Sequence, residues 1–170
     1  MTTLTSLLPE RYESVEELGS STLIVRDRER DERLLLRVLR PEDGARIRRE
    51  LERVRGLDAD PRLARILELG ELEDGRAYYV QELVEGEDLF QWALARDASE
   101  VIAVWSQLLL ALDCYHQLGL VPRGERPMSI RVVPSDDEHE PPRLRLVDPG
   151  GVIDEGSREL RAGQGLAPER

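Results

Sequence analysis

The sequence predicts an α+β protein built as two small lobes, and three features of its pattern support this. Residues 11–84 alternate short apolar runs with charged turns, which is typical of an antiparallel sheet, and they contain one helical pattern. Residues 85–170 begin with two helical patterns instead. The change falls near Glu85-Gly86, where we expect a hinge within one domain overall.

The first part, residues 11–84, is expected to contain five strands and one helix. The strands are predicted at residues 12–18, 22–27, 34–39, 64–69 and 76–83. The helix is predicted at residues 45–57, where Ile47, Leu51 and Val54 lie on one face of an otherwise charged segment. This single apolar stripe is typical of a helix with one buried face.

The second part, residues 85–170, is expected to be mainly helical. Helices are predicted at residues 87–94 and 98–118, and two further strands at residues 130–133 and 144–147. Asp97 or Ser99 is placed to cap the long helix, and Gly119 to end it. An acidic loop with prolines separates the two strands.

The charged residues exclude several kinds of chemistry. All 24 basic residues are arginine, and the chain has neither lysine nor asparagine. A phosphate-loop lysine, a Schiff-base lysine and an N-glycosylation acceptor are therefore impossible. With 35 acidic residues the net charge is −11, which argues against nucleic acid as a partner.

Cysteine content and hydropathy favour a cytoplasmic protein. Cys114 is the single cysteine, so no disulfide can form within the chain. The first ten residues lack the basic and apolar regions of a signal peptide. The most apolar segment, residues 101–112, is too short to span a bilayer. We therefore expect no membrane association.

A series of short motifs runs through the chain in one order. They are Glu17-Leu18-Gly19, Leu34-Leu35-Leu36-Arg37, Arg49-Glu50, Val84-Glu85-Gly86, residues 119–124 and 126–130, Leu146-Val147-Asp148-Pro149-Gly150, and Ala167-Pro168-Glu169. The series resembles the eukaryotic-type serine/threonine protein kinases from residue 11 to residue 170. The resemblance implies a small antiparallel β lobe with one helix, followed by a helical lobe truncated after Ala167-Pro168-Glu169.

The resemblance also implies where a nucleotide would bind. Arg37 takes the place of the phosphate-binding lysine, Glu50 that of its glutamate partner, and Asp148 that of a metal-binding aspartate. These are the candidate cofactor-binding residues if a nucleotide binds at all. Two structural alternatives stay open: Arg37 and Glu50 as an ordinary ion pair, and Asp148-Pro149-Gly150 as an ordinary turn.

Several positions depart from the kinase pattern. Gly124 stands where the catalytic aspartate is expected, and Ser129 where the metal-binding asparagine is expected. Leu35 would protrude into the adenine space, and Arg131 would place a charge beneath the ring. We therefore expect a pseudokinase that is not an enzyme, with no catalytic residues, no metal and no cofactor. ATP is not expected as a ligand.

The expected function is accordingly that of a regulatory or scaffolding module that binds other proteins. The helix at 98–118 carries an apolar arc wider than that of an ordinary surface helix. A partner protein or a second copy of the chain is expected to cover it. Two alternatives stay open: a residual ATP-binding kinase-like phosphotransferase, and an N-terminal fragment of a longer kinase-like protein.

Overall fold

A computed structural model describes residues 4–57, 60–121, 129–135, 140–147 and, for the backbone alone, 153–154. The chain divides into two compact units, residues 1–85 and residues 86–170. The first unit contains an antiparallel sheet with one α-helix, and the second contains two α-helices with short strands. The predicted α+β class is confirmed.

The first unit is a five-stranded antiparallel sheet with a helix. Its strands are β1 (Tyr12–Gly19), β2 (Thr22–Asp27), β3 (Glu32–Val38), β4 (Ile66–Glu71) and β5 (Ala77–Glu82), with helix α1 (Gly44–Val54) between β3 and β4. The strand order is β1-β2-β3-β5-β4. Strand β3 therefore lies in the centre of the sheet, with hydrogen-bonded neighbours on both sides.

One face of this sheet carries a continuous apolar core. Alternate residues of β2 and β3, such as Leu23 and Leu36, pair across the strands and are fully buried. The N-terminal segment covers this face, because Leu4 and Leu7 of a 3₁₀ helix (Leu4–Leu7) pack against the core. The strand period of two is what places these side chains together.

Helix α1 buries the stripe that its sequence predicts. Ile47, Leu51 and Val54 are all buried, and the helix contacts strands β4 and β5. The regular helix ends at Val54 and continues as one 3₁₀ turn, Arg55–Leu57. The predicted end at residue 57 therefore included this turn.

The second unit combines two helices with three short pairings. Its elements are β6 (Glu87–Asp88), α2 (Leu89–Ala93), α3 (Ala98–Gln117), β7 (Leu120–Val121), β8 (Ile130–Val133), β9 (Arg143–Leu146) and β10 (Ile153–Asp154). Strands β6, β8 and β9 form one sheet, and β7 pairs with β10. The prediction of a helix over residues 87–94 was wrong at its start, since Glu87 and Asp88 pair with β8.

Helix α3 is capped as the sequence predicts but buries a narrower stripe than its apolar residues suggest. Asp97 accepts hydrogen bonds from the backbone of Ser99 and Glu100, and Glu100 reaches back to Asp97. The buried residues are Val104, Leu108, Ala111 and Tyr115. The helix contacts β7 and β9 along its length.

Helix α3 has the length and composition of a membrane-spanning helix. Its 20 residues are long and apolar enough to cross a membrane, whereas the sequence suggested a segment too short to do so. The helix extends beyond the apolar segment of residues 101–112, by three residues at its start and five at its end. Core helices of soluble proteins share this length and composition, and the expectation of no membrane association stays a prediction.

Candidate functional site

Strand β3 holds Arg37 near the centre of the five-stranded sheet. Arg37 lies between Thr22 of β2 and Tyr79 of β5 in the strand register. Leu35 lies two residues earlier and therefore shares its face of the sheet. This is the face opposite the apolar core, and both side chains are half-buried. The backbone of Arg37 is thus held between two paired strands, and its side chain projects from the face opposite the apolar core.

The connection between β1 and β2 is a tight hairpin. Gly19 pairs with Thr22, so Ser20 and Ser21 form a two-residue turn. In the kinases that the sequence resembles, a glycine-rich loop joins these two strands, and here that loop is reduced to a β-turn. Two residues offer fewer backbone N–H groups to a phosphate than a longer glycine-rich loop would.

Glu50 lies buried on α1, and the structure pairs it with a residue of its own helix. The guanidinium of Arg46 donates hydrogen bonds of 3.1 and 3.2 Å to the two carboxylate oxygens of Glu50. Arg46 also donates to Asp43, at 2.9 Å, and this hydrogen bond is the main cause that raises the pKa of Arg46. Glu50 is thus bound by Arg46, one turn earlier on the same helix, and its predicted roles beside Arg37 and a nucleotide stay predictions.

In the second unit, Ser129 and Arg131 are the predicted site residues that the structure describes. The backbone carbonyl of Ser129 accepts a 2.8 Å hydrogen bond from the N–H of Val147, which directly precedes Asp148 in the chain. Arg131 pairs with Asp88 across strands β8 and β6, and its guanidinium donates to the carbonyl of Gly86, at 3.4 Å. The fold therefore brings Ser129 beside the start of the segment that contains Asp148.

Two predicted positions, Gly124 and Asp148, lie outside the described residues, so their roles stay predictions. Among the residues that the structure describes, no group of three or more His, Cys, Asp and Glu side chains is placed to hold a metal ion.

A polar cluster in the first unit was missed by the sequence analysis. Arg11 forms a two-pronged ion pair with the fully buried Asp27, at 3.0 and 2.5 Å. Nearby, the phenols of Tyr12 and Tyr78 donate to the carboxylate of Glu68, at 2.7 and 2.5 Å. These residues are far apart in sequence and follow no motif. No signal in a single sequence would have brought them together.

Contacts and burial within this cluster shift the pKa values of several of its side chains. The hydrogen bonds from Arg11 are the main cause that lowers the pKa of Asp27. Burial, reinforced by the hydrogen bonds to Glu68, raises the pKa values of Tyr12 and Tyr78. These pKa shifts keep Asp27 ionised and Tyr12 and Tyr78 neutral near neutral pH, so the cluster stabilises the sheet instead of exchanging protons.

Comparison with known proteins decides the fold family. No family model matches the chain. Serine/threonine-protein kinase pkn3 of Myxococcus xanthus is 32% identical over 129 residues, which cover 70% of this chain and 23% of that protein. A probable serine/threonine-protein kinase of Dictyostelium discoideum is 23% identical over 146 residues, 83% of this chain and 23% of that protein.

A solved structure agrees with these relatives. The kinase domain of PknI from Mycobacterium tuberculosis superimposes with a TM-score of 0.63 and 25% identity, over 89% of this chain and 64% of that chain. The chain has a protein kinase-like fold. It spans about a quarter of the length of the two curated relatives, at 23% of each.

The kinase-like fold comes with a correction. Both curated relatives are named as serine/threonine kinases, and the structural neighbour is a kinase domain, so the expectation of a pseudokinase that is not an enzyme is contradicted. Phosphoryl transfer depends mostly on positioning and electrostatic stabilisation. For this reason the substitutions at Arg37, Gly124 and Ser129 were insufficient grounds for inferring inactivity.

Proposed function

We propose that this chain is a serine/threonine-kinase-type domain that binds ATP and transfers its terminal phosphoryl group to a hydroxyl group of a protein. The observation that carries the proposal is the position of Arg37, an arginine on the central strand of the sheet in a kinase-like fold. The names of the two curated relatives support the same reaction class.

Arg37 would bind the phosphates. A guanidinium keeps its charge at every physiological pH and matches two phosphate oxygens with two parallel N–H groups. A lysine ammonium is more compact and acts as a point charge. Arg37 therefore supplies the required charge with a different geometry, and we expect nucleotide binding to survive with reduced precision of phosphate placement.

Asp148 and Ser129 offer a donor set for one magnesium ion. Mg²⁺ keeps several waters and takes only one or two protein carboxylates together with substrate phosphates. Asp148 offers such a carboxylate, and Ser129, whose backbone carbonyl accepts a hydrogen bond from the N–H of Val147, offers a hydroxyl. When bound, the ion would neutralise charge on the phosphates. Asp148 and Ser129 would hold it.

Gly124 stands where the kinase pattern has its general base. Gly124 has no side chain that accepts a proton, so the substrate hydroxyl would lose its proton to solvent or to a phosphate oxygen. In that step the hydroxyl oxygen bonds to the terminal phosphorus while the bond from phosphorus to the bridging oxygen of ADP breaks. Because the transition state is loose, losing the base slows this transfer without preventing it.

A thermal-shift titration with ATP, with and without Mg²⁺ or Mn²⁺, tests the proposal. A ligand that prefers the native state raises the melting midpoint once its concentration exceeds its dissociation constant. We expect a metal-dependent rise that is lost in Arg37→Ala and kept in Arg37→Lys. Arg28→Ala, which removes an arginine from the exposed β2–β3 hairpin, is the matched control.

Transfer itself is measured as incorporation of radiolabelled phosphate into casein. We expect slow incorporation by the wild-type chain and none by Asp148→Ala. Absence of a midpoint shift at millimolar ATP, together with no incorporation, would contradict the proposal.

A second candidate function is protein binding through α3. Three large side chains along one side of this helix are exposed in the second unit: Ile102 (64%), Trp105 (48%) and Leu109 (65%). Exposed apolar stripes of this kind are typical of interaction surfaces. A partner protein or a second copy of the chain would cover them. Sedimentation velocity of the wild type against Trp105→Ser tests for the second copy.

A further inference from the structure

The second unit contains a pocket formed by its own elements. The pocket has a volume of about 180 Å³ and lies between α2, the first turn of α3 and the ends of the loop that joins β8 to β9. Its walls are apolar where Trp92, Val132, Pro134 and Pro142 face it. Trp92 and Val132 are almost fully buried, so packing against their neighbours holds the inner part of the pocket in place.

One wall of the pocket is fixed to α3 by a single side chain. The amide of Gln107 donates to the carbonyl of Pro142 and accepts from the N–H of Leu144, both at 2.9 Å. These two bonds hold the start of β9 against the helix. The pocket is therefore already formed in the free chain, which reduces the entropic cost of binding.

The rim of the pocket is acidic. Glu87, Glu100 and Glu140 contribute three carboxylates, and Arg96 contributes the one guanidinium. The guanidinium carbon of Arg96 lies 5.6 Å from the centre of the Trp92 ring, and one of its nitrogens lies 3.6 Å from a carboxylate oxygen of Glu100. Glu140 is bound by Arg143 and by the hydroxyl of Ser135, each at 3.3 Å.

Glu87 differs from the other carboxylates at this rim. Within the part of the chain that the structure describes, it has neither an ion-pair partner nor a hydrogen bond from another side chain. It lies on β6 directly opposite Val132, so its position beside the apolar wall is set by strand pairing. An exposed carboxylate next to a preformed apolar pocket is complementary to a cation with an apolar stem.

We propose that this pocket binds an arginine-containing peptide segment of a partner protein. Glu87 would pair with the arginine, and Pro134, Pro142 and Trp92 would contact its stem and a neighbouring apolar residue. Guanidinium is more weakly hydrated than ammonium, so arginine suits a pocket with apolar walls better than lysine does. The proposal uses residues of the second unit alone and does not depend on the proposed ATP binding.

Trp92 offers a direct readout. The chain has two tryptophans, and Trp105 is not part of the pocket lining. In Trp105→Phe, the remaining indole fluorescence reports on the pocket. The probe is acetyl-Arg-Arg-Ala-Leu-Ala-amide, and its matched control is the peptide with glutamate in place of both arginines. We expect a saturable change with the arginine peptide below about 1 mM and none with the glutamate peptide.

Glu87→Gln in the same Trp105→Phe background tests the proposed ion pair. We expect the dissociation constant of the arginine peptide to rise about two- to fivefold, since an exposed pair contributes little. Glu73→Gln, which removes an exposed carboxylate from the other unit, controls for the change in net charge and should leave it unchanged. No saturable response, or equal responses to both peptides, or no effect of Glu87→Gln, would overturn the proposal.

Discussion

The phenol of Tyr78 lies across the backbone of Gly70, so that a Cβ at Gly70 would stand 2.5 Å from the phenolic oxygen. The ring cannot move away easily, because its hydroxyl group donates a 2.5 Å hydrogen bond to Glu68 and the side chain is buried. Glycine is therefore required at this position for close approach of strands β4 and β5, rather than for an unusual backbone conformation.

Gly70→Ala is expected to lower the free energy of unfolding by about 1–3 kcal/mol, the usual cost of overpacking a filled site. Gly56→Ala is the matched control, since a Cβ at Gly56 meets nothing within 4 Å. That control should be neutral or slightly stabilising. Urea denaturation followed by circular dichroism measures both, and equal stabilities for the two variants would contradict the argument.

Asp27→Asn is expected to destabilise the chain by about 2–3 kcal/mol at neutral pH, because it removes charge-assisted hydrogen bonds from Arg11 to a fully buried group. Asp31→Asn is the control. Asp31 is exposed and pairs with Arg26, so its loss should cost less than about 1 kcal/mol. Chemical denaturation at neutral pH distinguishes the two.

The same Asp27 variant predicts a change in pH dependence. The pKa of Asp27 is lower in the folded chain than in the unfolded chain, because Arg11 stabilises the carboxylate. Its contribution to stability is therefore fully present above the unfolded-state pKa of about 3.9 and is lost as pH falls through the lower folded-state value. Unfolding free energies measured between neutral and acid pH should fall less steeply in Asp27→Asn. Parallel curves would exclude this linkage.

Gln107→Leu should destabilise the second unit by about 2 kcal/mol. The substitution leaves the carbonyl of Pro142 and the N–H of Leu144 without their side-chain partner, and each such group costs free energy when it stays buried. Gln117→Leu removes an exposed hydrogen bond to Asp113 and should change stability by less than about 0.5 kcal/mol. Thermal unfolding of both variants gives the comparison.

Leu35→Ala is expected to tighten ATP binding about tenfold if Leu35 fills space that the adenine ring needs. The residue shares the sheet face of Arg37. Leu67→Ala is a suitable control, since Leu67 packs against the core on the opposite face and should leave the affinity unchanged. Fluorescence titration with a labelled ATP analogue measures the effect, and weaker binding by Leu35→Ala would show that Leu35 contacts the nucleotide favourably.

Local patterns predicted much of the fold. The stripe of Ile47, Leu51 and Val54 predicted α1, because helix period and burial coincide there. Asp97 predicted the start of α3, because a capping side chain satisfies backbone N–H groups within the same short segment. Both features depend on residues within two turns of one another.

Other features were not predictable in the same way. Residues Glu87–Asp88 form a strand because they pair with β8, which lies more than forty residues later in the chain. Glu50 is bound by Arg46, four residues earlier on α1, and the kinase-like motif around Glu50 did not indicate this ion pair. Trp105 is half-exposed although it belongs to the most apolar side of α3, because only Val104, Leu108, Ala111 and Tyr115 pack inward.

The sequence by itself determined the two-part α+β organisation, the main helices and strands, and the resemblance to protein kinases, because each rests on local periodicity or on the order of short motifs. Only the tertiary structure decided that Arg11, Asp27 and Glu68 meet, that Gln107 fixes the wall of a pocket, and that Glu87 stands beside it. These contacts join residues that are distant in the chain, and their free energies depend on burial and on distances that no linear pattern specifies.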